Sequence, residues 1–165
     1  MKKLALALLV ALPLTAALAD DAPMDHMNHM DHVVVPADAI KWGPAPPVLP
    51  AGAQAAVLLG DPSKDGPFTI RLSAPDGYKI PPHFHPTVEN VTVISGIFHI
   101  GTGDKLDTTK ADKLGAGGFV SLPAGMHHYA WTEGPTVVQV HGTGPFALTY
   151  VNPADNPQAA TATKQ

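Results

Sequence analysis

The sequence predicts an all-β sandwich or barrel, and three observations support this fold class. The 18 prolines and 15 glycines make up one fifth of the 165 residues, whereas average usage is about 12%. Short apolar segments alternate with turn formers such as Asp65-Gly66-Pro67 and Pro75-Asp76-Gly77. No segment has the apolar periodicity of a long helix. Many short strands separated by regular turn signals are typical of sandwiches and barrels.

The segments between the turn formers have the length and apolar content of β-strands. In the segment 68–72, Phe68, Ile70 and Leu72 share one face of the strand. Arg71 lies on the other face, so we expect it to point outward. The predicted strands are 55–59, 68–72, 79–85, 89–94, 97–100, 119–122, 127–131, 136–141 and 146–150.

The composition excludes several classes of protein. The chain has no cysteine, which excludes a disulfide framework, a thiolate zinc site and an iron–sulfur cluster. Arg71 is the only arginine and the formal net charge is −4, so we expect no nucleic acid among the partners. A metal site in the folded domain must therefore be built from imidazole and carboxylate groups.

The first segment has the pattern of a secretory signal peptide. Lys2 and Lys3 precede a nearly continuous apolar stretch, and Ala17-Leu18-Ala19 matches a small-x-small cleavage site. The apolar stretch is too short and wrongly flanked for a stable membrane span. We therefore expect residues 1–19 to be removed, which leaves a periplasmic or secreted protein without a membrane anchor.

Residues 24–32 repeat a three-residue unit of Met, Asp or Asn, and His. This repeat has no apolar stripe that could be buried, so we predict a flexible Met/His- and Pro-rich segment over residues 20–54. Thioether and imidazole ligands together suit copper, although a polar spacer is the alternative interpretation. The candidate ligands of this second metal region are Met24, His26, Met27, His29, Met30 and His32.

Two segments contain the residues that indicate a metal site in the domain. His83 and His85 point to the same face of a strand because side chains alternate along it, and Glu89 follows four residues later. In the second segment, Pro123 and Gly125 suit a turn that would direct the next strand toward the same interior. That strand would bring in either His127 or His128, but not both.

These segments resemble the paired signature motifs of the cupin superfamily. The first motif has a Gly, His-x-His, a Glu and a closing Gly, and the second has a Gly, Pro-x-Gly, a His and a final Asn. The chain matches the first motif at every specified position, with Gly77, His83, His85, Glu89 and Gly96. Those of the second are Gly117, Pro123, Gly125 and His128, with Thr132 in place of the Asn. The resemblance extends over a domain of residues 55–151 and leaves 152–165 as a polar tail.

The resemblance implies a jelly-roll barrel, or double-stranded β-helix, that holds a metal ion. The implied ligands are His83, His85, Glu89 and His128, so His128 would point inward and His127 outward. Such a ligand set suits a divalent ion such as Mn, Fe, Ni or Zn and leaves one or two exchangeable positions. A homodimer is also expected from the resemblance.

Residues beside the metal are predicted from strand parity. Gln139 and His141 share one face of a late strand, and valines occupy the other. We expect the polar face to line the metal cavity rather than solvent, which would make His141 a proton carrier in catalysis. Ile70 and Leu72 would supply an apolar lining.

Two functions from different classes are compatible with these features. The first is a metalloenzyme that acts on a small organic substrate, as a dioxygenase, decarboxylase, isomerase or lyase. The second is a metal- or ligand-binding protein without turnover, in which the Met/His repeat captures copper. The cupin fold itself hosts many functions and does not decide between them.

Overall fold

The computed structural model describes residues 32–159. The chain divides into two units, Met1–His32 and Val33–Gln165, and the fold described here belongs to the second. The predicted signal peptide and all of the Met/His repeat except the exposed His32 lie outside the described residues. Within residues 32–159, no helix has the length and apolar character needed to cross a membrane.

The described residues form antiparallel strands and two short 3-10 turns, Ala37–Ala39 and Pro153–Asp155. The sequence prediction of an all-β domain is therefore confirmed. The strands are β1 (Gly43–Pro44), β2 (Gln54–Leu59), β3 (Gly66–Ala74), β4 (Lys79–Phe84), β5 (Glu89–Thr102), β6 (Ala111–Leu114), β7 (Phe119–Leu122), β8 (His128–Gly144) and β9 (Thr149–Tyr150).

Two long strands, β5 and β8, organise the sheet because they pair with each other from Asn90–His141 to Thr102–His128. The other edge of β8 pairs with β3 along its second half and with β4 along its first half. The other edge of β5 pairs with β7 and then with β6. β2 and β1 extend the sheet beyond β3, and β9 pairs with β4. The long strands thus join two half-sheets.

The sequence predicted a break in each long strand, at 95–96 and at 132–135, but both strands continue through these positions and bend there. Gly96 and Gly134 adopt φ values of 80° and 73°, a region that glycine enters without steric cost. A Cβ on Gly96 would collide with the carbonyl oxygen of Pro135. The Thr136 hydroxyl ties the bend together, since it accepts from Ile97 N at 3.1 Å and donates to Ile97 O at 3.0 Å.

The two half-sheets enclose a single hydrophobic core. Its members come from β3, β4 and β7 as well as from both halves of β5 and β8, and include Phe68, Ile80, Val93, Ile100 and Val138. Because strands on both sides of the bends contribute to one core, the sheet curls round on itself. This architecture is the predicted double-stranded β-helix.

The domain begins earlier in the chain than the predicted boundary at residue 55. β1 pairs with β2, and the proline-rich loop between them is bound to the barrel by two tyrosines. The Tyr78 hydroxyl donates to Pro50 O at 2.6 Å, and the Tyr150 hydroxyl donates to Val48 O at 2.8 Å. Burial raises the pKa of both tyrosines to about 12, so both hydroxyls remain donors. The part of residues 20–54 that follows Pro44 is therefore not a free segment.

Candidate metal centre

Three strands bring the candidate ligands together. His83 of β4 lies directly opposite His128 at the start of β8, and His85 follows just beyond the end of β4. Glu89 is the first residue of β5. All four residues are buried, with exposed fractions between 2% and 8%. One ring nitrogen from each histidine lies within 4.8 Å of the other two, so the three could hold a metal ion.

Each of the three imidazoles is oriented by a backbone carbonyl. The Nδ1 atom of His83 contacts Pro81 O at 2.8 Å, that of His85 contacts Ala147 O at 2.8 Å, and that of His128 contacts Met126 O at 2.9 Å. A carbonyl oxygen can only accept, so each Nδ1 must carry the proton. The lone pair of each neutral ring is then on Nε2, the arrangement that outer hydrogen bonds impose on metal-binding histidines.

Glu89 faces the free nitrogens of two of these rings. Its Oε2 atom lies 3.1 Å from Nε2 of His128 and 3.5 Å from Nε2 of His85. When the rings are neutral, these atoms are all acceptors and cannot hydrogen-bond to one another. Consistently, the buried Nε2 atoms of His85 and His128 have no hydrogen-bond partner. A cation between them, either a proton on a ring or a metal ion, satisfies these acceptors together, so the residues present fit a metal ion.

The ionisation of the group favours metal binding. Burial, together with the neighbouring His128 and His85, lowers the pKa of His83 to about 3. Burial also lowers the pKa of His85, although Glu89 and a hydrogen bond to Ala147 oppose it. Burial alone would raise the pKa of Glu89, but the closeness of the His128, His85 and His83 rings outweighs it and lowers that pKa. At neutral pH, His83 and His85 are therefore neutral and the carboxylate is ionised.

The turn before β8 links the two halves of the site. Gly125, with a φ of 74°, donates its N–H to His85 O at 2.8 Å, and Met126 N closes the turn onto Pro123 O at 3.1 Å. This turn directs His128 into the core. His127 lies on the surface, with 38% of its side chain exposed and its Nδ1 atom 2.6 Å from Asp104 Oδ1.

Thr132, which replaces the final Asn of the second motif, holds the turn between β3 and β4. Its hydroxyl donates to Pro75 O at 2.6 Å and accepts from Tyr78 N at 3.0 Å. The side chain lies within β8 and is 4% exposed. The replacement of Asn by Thr therefore affects a residue that fixes a turn. It leaves intact the ligand group, by which we mean His83, His85, Glu89 and His128.

A cavity of about 380 Å³ opens above the ligand group, with His83, His85 and Glu89 among its lining residues. Ile70 and Leu72 line it, as the sequence analysis placed them. A smaller space of about 40 Å³ lies on the core side and is bordered by His83, Glu89 and His128. The ligand group thus forms the boundary between the two spaces.

The sequence analysis missed a second set of cavity residues. Phe146 stacks on the His85 ring with centroids 4.1 Å apart, and it packs against Phe68 at 4.9 Å. Val48 and Leu49 of the proline-rich loop close another side of the cavity. Both segments are distant in sequence from the motifs, and their only sequence signal was apolar residues beside prolines.

Gln139 and His141 do not face the cavity, which corrects their predicted orientation. Val140 lines the cavity instead, and Val138 lies beside it in the core. Gln139 is on the opposite face, where its Oε1 atom accepts from Arg71 Nε at 3.2 Å. His141 is beside Asn90 on that same face. The valines point inward because they pair with apolar residues of β3, so His141 cannot be the predicted proton carrier.

The comparisons with known proteins agree with this architecture. Residues 33–159 match the model of one family, described as a domain of unknown function (DUF4437). Among the curated proteins, none matches the sequence. Several solved structures match the fold.

The polyketide cyclase RemF from Streptomyces resistomycificus is 17% identical, with a TM-score of 0.59 over 80% of this chain and 94% of that protein. A protein from Methylibium petroleiphilum PM1, proposed to be an acetylacetone dioxygenase, is 20% identical, with a TM-score of 0.59 over 82% of this chain and 96% of its own. An RmlC-like cupin from Shewanella frigidimarina is 15% identical, with a TM-score of 0.54 over 68% and 90% of the two chains.

These similarities identify the fold. They carry no information about the reaction, because the sequence identities are low and one fold hosts many functions. They confirm the resemblance to the cupin superfamily that the two motifs indicated. The family model covers most of the chain and begins where the described β domain begins. The chain therefore belongs to the DUF4437 family, and its domain has the cupin fold.

Proposed function

We propose that the protein is an exported metalloenzyme that acts on a small organic substrate. His83, His85, Glu89 and His128 would hold one divalent ion, Mn, Fe, Ni or Zn, and the substrate would lie in the cavity above them. One observation carries this proposal. Two buried Nε2 atoms lack any partner beside an ionised carboxylate, an arrangement that is costly without a cation.

The ligand group is prepared for this role by the chain itself. When bound, a divalent ion in this set of ligands supplies a Lewis acid with exchangeable positions. The carbonyls of Pro81, Ala147 and Met126 hold the rings in place, so little rearrangement is needed on binding. The apolar lining of the cavity limits water around the reacting atoms.

Proton transfer in the cavity falls to the ligand group. Of the described residues that line the cavity, only His83, His85 and Glu89 have ionisable side chains. The Nδ1 protons of the two histidines are already donated to carbonyls. A proton removed from a substrate would therefore pass to the Glu89 carboxylate or leave through the mouth of the cavity.

The type of reaction stays within the classes expected from the sequence: dioxygenase, decarboxylase, isomerase or lyase. Two of the proteins with this fold are named as a cyclase and as a proposed dioxygenase. These names support a fold compatible with catalysis and give no substrate for this chain.

Metal analysis of the protein purified from cells that export it tests the proposal. We expect about one Mn, Fe, Ni or Zn ion per chain, and loss of both the ion and turnover in His128→Ala. A protein isolated without metal that also fails to bind these ions in vitro would contradict the proposal.

The Met/His repeat at residues 24–32 favours a second candidate, a copper-binding protein without turnover. Deletion of this repeat separates the two functions. A copper-binding protein should lose most of its copper capacity, whereas a cupin enzyme should keep its metal content and its activity. Several copper ions per chain in the native protein would favour the second candidate.

A further inference from the structure

The side chains above the ligand group are almost entirely apolar. β3 contributes Ile70 and Leu72, β4 contributes Ile80, and β8 contributes Val140. The remaining sides come from the proline-rich loop and from the segment around Phe146. Among the described lining residues there is no lysine, arginine, serine, threonine, asparagine or glutamine.

The backbone of these walls also offers few free polar groups. Pro46 O accepts from Leu49 N at 2.9 Å, and Pro62 O accepts from Phe146 N at 2.7 Å. Val48 O is bound by the Tyr150 hydroxyl, and Ala147 O is bound by the His85 ring. Each of these carbonyls therefore already has a donor, so none of them needs a substrate to satisfy it.

The arginine of the chain cannot compensate for this lack of polar groups. Arg71 is on β3 between the cavity residues Ile70 and Leu72, so its side chain points to the opposite face. There it is bound to Gln139. A charged or polyhydroxylated ligand would thus lose its water in this cavity without gaining a partner, which is unfavourable for every such group.

We infer that the cavity takes a compact, uncharged molecule with an apolar body and a single hydroxyl or carbonyl end. The oxygen-bearing end faces the His–Glu group, and the apolar body lies between Ile70, Leu72 and Phe146. Sugars, sugar acids and other polyhydroxylated or charged substrates are excluded. This inference rests on the proposed function and specifies its substrate class.

Two probes of similar shape test the substrate class. 4-tert-Butylphenol and 4-hydroxybenzenesulfonate both contain a phenol, and both carry a tetrahedral group at the opposite end of the ring. Only the sulfonate group is charged. A sulfonate is also a poor metal ligand, so we expect both probes to present the phenol to the metal. Binding is measured on Co²⁺-loaded protein, freed of unbound metal, from changes in the visible absorption of the ion and by calorimetry. We expect the neutral probe to bind at least about 100-fold more tightly.

A charge placed in the cavity wall gives the matched control. In Ile70→Lys, we expect the sulfonate to gain at least about tenfold in affinity and the neutral probe to lose affinity. In Thr69→Lys, on the same strand but on the opposite face, both affinities should match those of the wild type. If Ile70→Lys does not fold, the comparison of the two probes on the wild-type protein still decides the question.

The outcomes separate this inference from the proposed function. Equal binding of the two probes, tighter binding of the sulfonate, or binding of neither to the Co²⁺-loaded protein would overturn the substrate class and leave the metal site standing. Failure of the protein to take up Co²⁺, established by metal analysis before any probe is added, would overturn both.

Discussion

The histidines of the ligand group and those on the surface use their ring nitrogens in opposite ways. In the group, each Nδ1 atom is tied to a neutral backbone carbonyl, and each Nε2 atom points to the common centre. A carbonyl fixes the tautomer without supplying a full negative charge, so the ring stays neutral and its lone pair stays available. The histidines of this group are His83, His85 and His128.

The surface histidines instead pair directly with carboxylates. His99 Nε2 lies 3.0 Å from Glu133 Oε2, and the ring stacks on Trp131. His127 Nδ1 lies 2.6 Å from Asp104 Oδ1. These rings already have an acidic partner, and both partner carboxylates are exposed. The difference teaches that the partner of the second ring nitrogen, more than the presence of a histidine, distinguishes a ligand from a surface residue.

Substitutions of the adjacent residues His127 and His128 are the most direct test of this distinction between ligand and surface histidines. We expect His128→Ala to weaken metal binding by more than about 100-fold, because it removes a ligand where loss of an outer partner alone costs 10- to 100-fold. His127→Ala should leave metal affinity within about twofold of wild type, since its ring contacts Asp104 on the surface. Metal titration by calorimetry measures both variants.

The opposite result would contradict the distinction. If His127→Ala lost the metal and His128→Ala retained it, the second motif would have been assigned to the wrong neighbour. Circular dichroism on both variants checks that the barrel is intact, because His128 is a core residue with 2% exposure.

The same pair shows how far the sequence alone could lead. Strand parity required one of the two histidines to point inward, and the motif resemblance implied His128. The pairing of His83 with His128 across β4 and β8 agrees with that choice. Parity also placed Gln139 and His141 on a common face. It could not decide which face was internal, because this depends on pairing with β3, where Thr69 and Arg71 face the same way.

Long-range packing was beyond the reach of sequence periodicity. The spacing of the motifs identified His83, His85 and Glu89 because all three lie on two consecutive strands or directly beside them. Phe146 stacks on His85 from a segment about 60 residues further along the chain, and Ala147 of the same segment accepts a hydrogen bond from the His85 ring. The proline-rich loop is held by hydroxyls of Tyr78 and Tyr150, which local propensity does not predict. Its prolines indicated a loop and gave no indication of the contacts that bind it.

The variant Glu89→Gln tests how the buried carboxylate of the ligand group differs from the surface carboxylate of Glu133. We expect metal affinity to fall at least about tenfold, because an uncharged amide replaces an anionic ligand. We also expect the metal-free protein to gain roughly 0.5–1.5 kcal/mol at pH 8, because the amide can donate to the orphaned Nε2 of His128. Denaturant unfolding with and without metal measures the two effects.

Glu133→Gln is the matched control for this variant. Glu133 faces His99 and Lys113 on the surface, where a carboxylate is a useful partner. Its replacement should leave metal affinity unchanged and give no gain in stability. A metal-free Glu89→Gln protein that is less stable than wild type would show that the carboxylate is not facing unpaired acceptors.

The effect of acid on the metal-free protein is the mildest test of the buried histidines. The folded-state pKa of His83 is about 3, whereas the usual value is 6.5. Between these pH values the His83 ring is protonated in the unfolded chain and neutral in the folded chain. The free energy of unfolding therefore falls as the pH drops from about 6.5 toward 3. The lowered pKa values of His85 and Glu89 act in the same direction. Each group contributes at most about 1.4 kcal/mol per pH unit.

The variant His83→Gln isolates the part of this slope that belongs to one ring. Its amide can still donate to Pro81 O, but it takes up no proton in the unfolded state, so the loss of stability per pH unit should be smaller than in wild type. Urea unfolding of the metal-free proteins at pH values between 7 and 4 measures both slopes. Equal slopes would mean that His83 is protonated equally in the folded and unfolded states, and the buried ring could not then be held neutral for a metal by its burial.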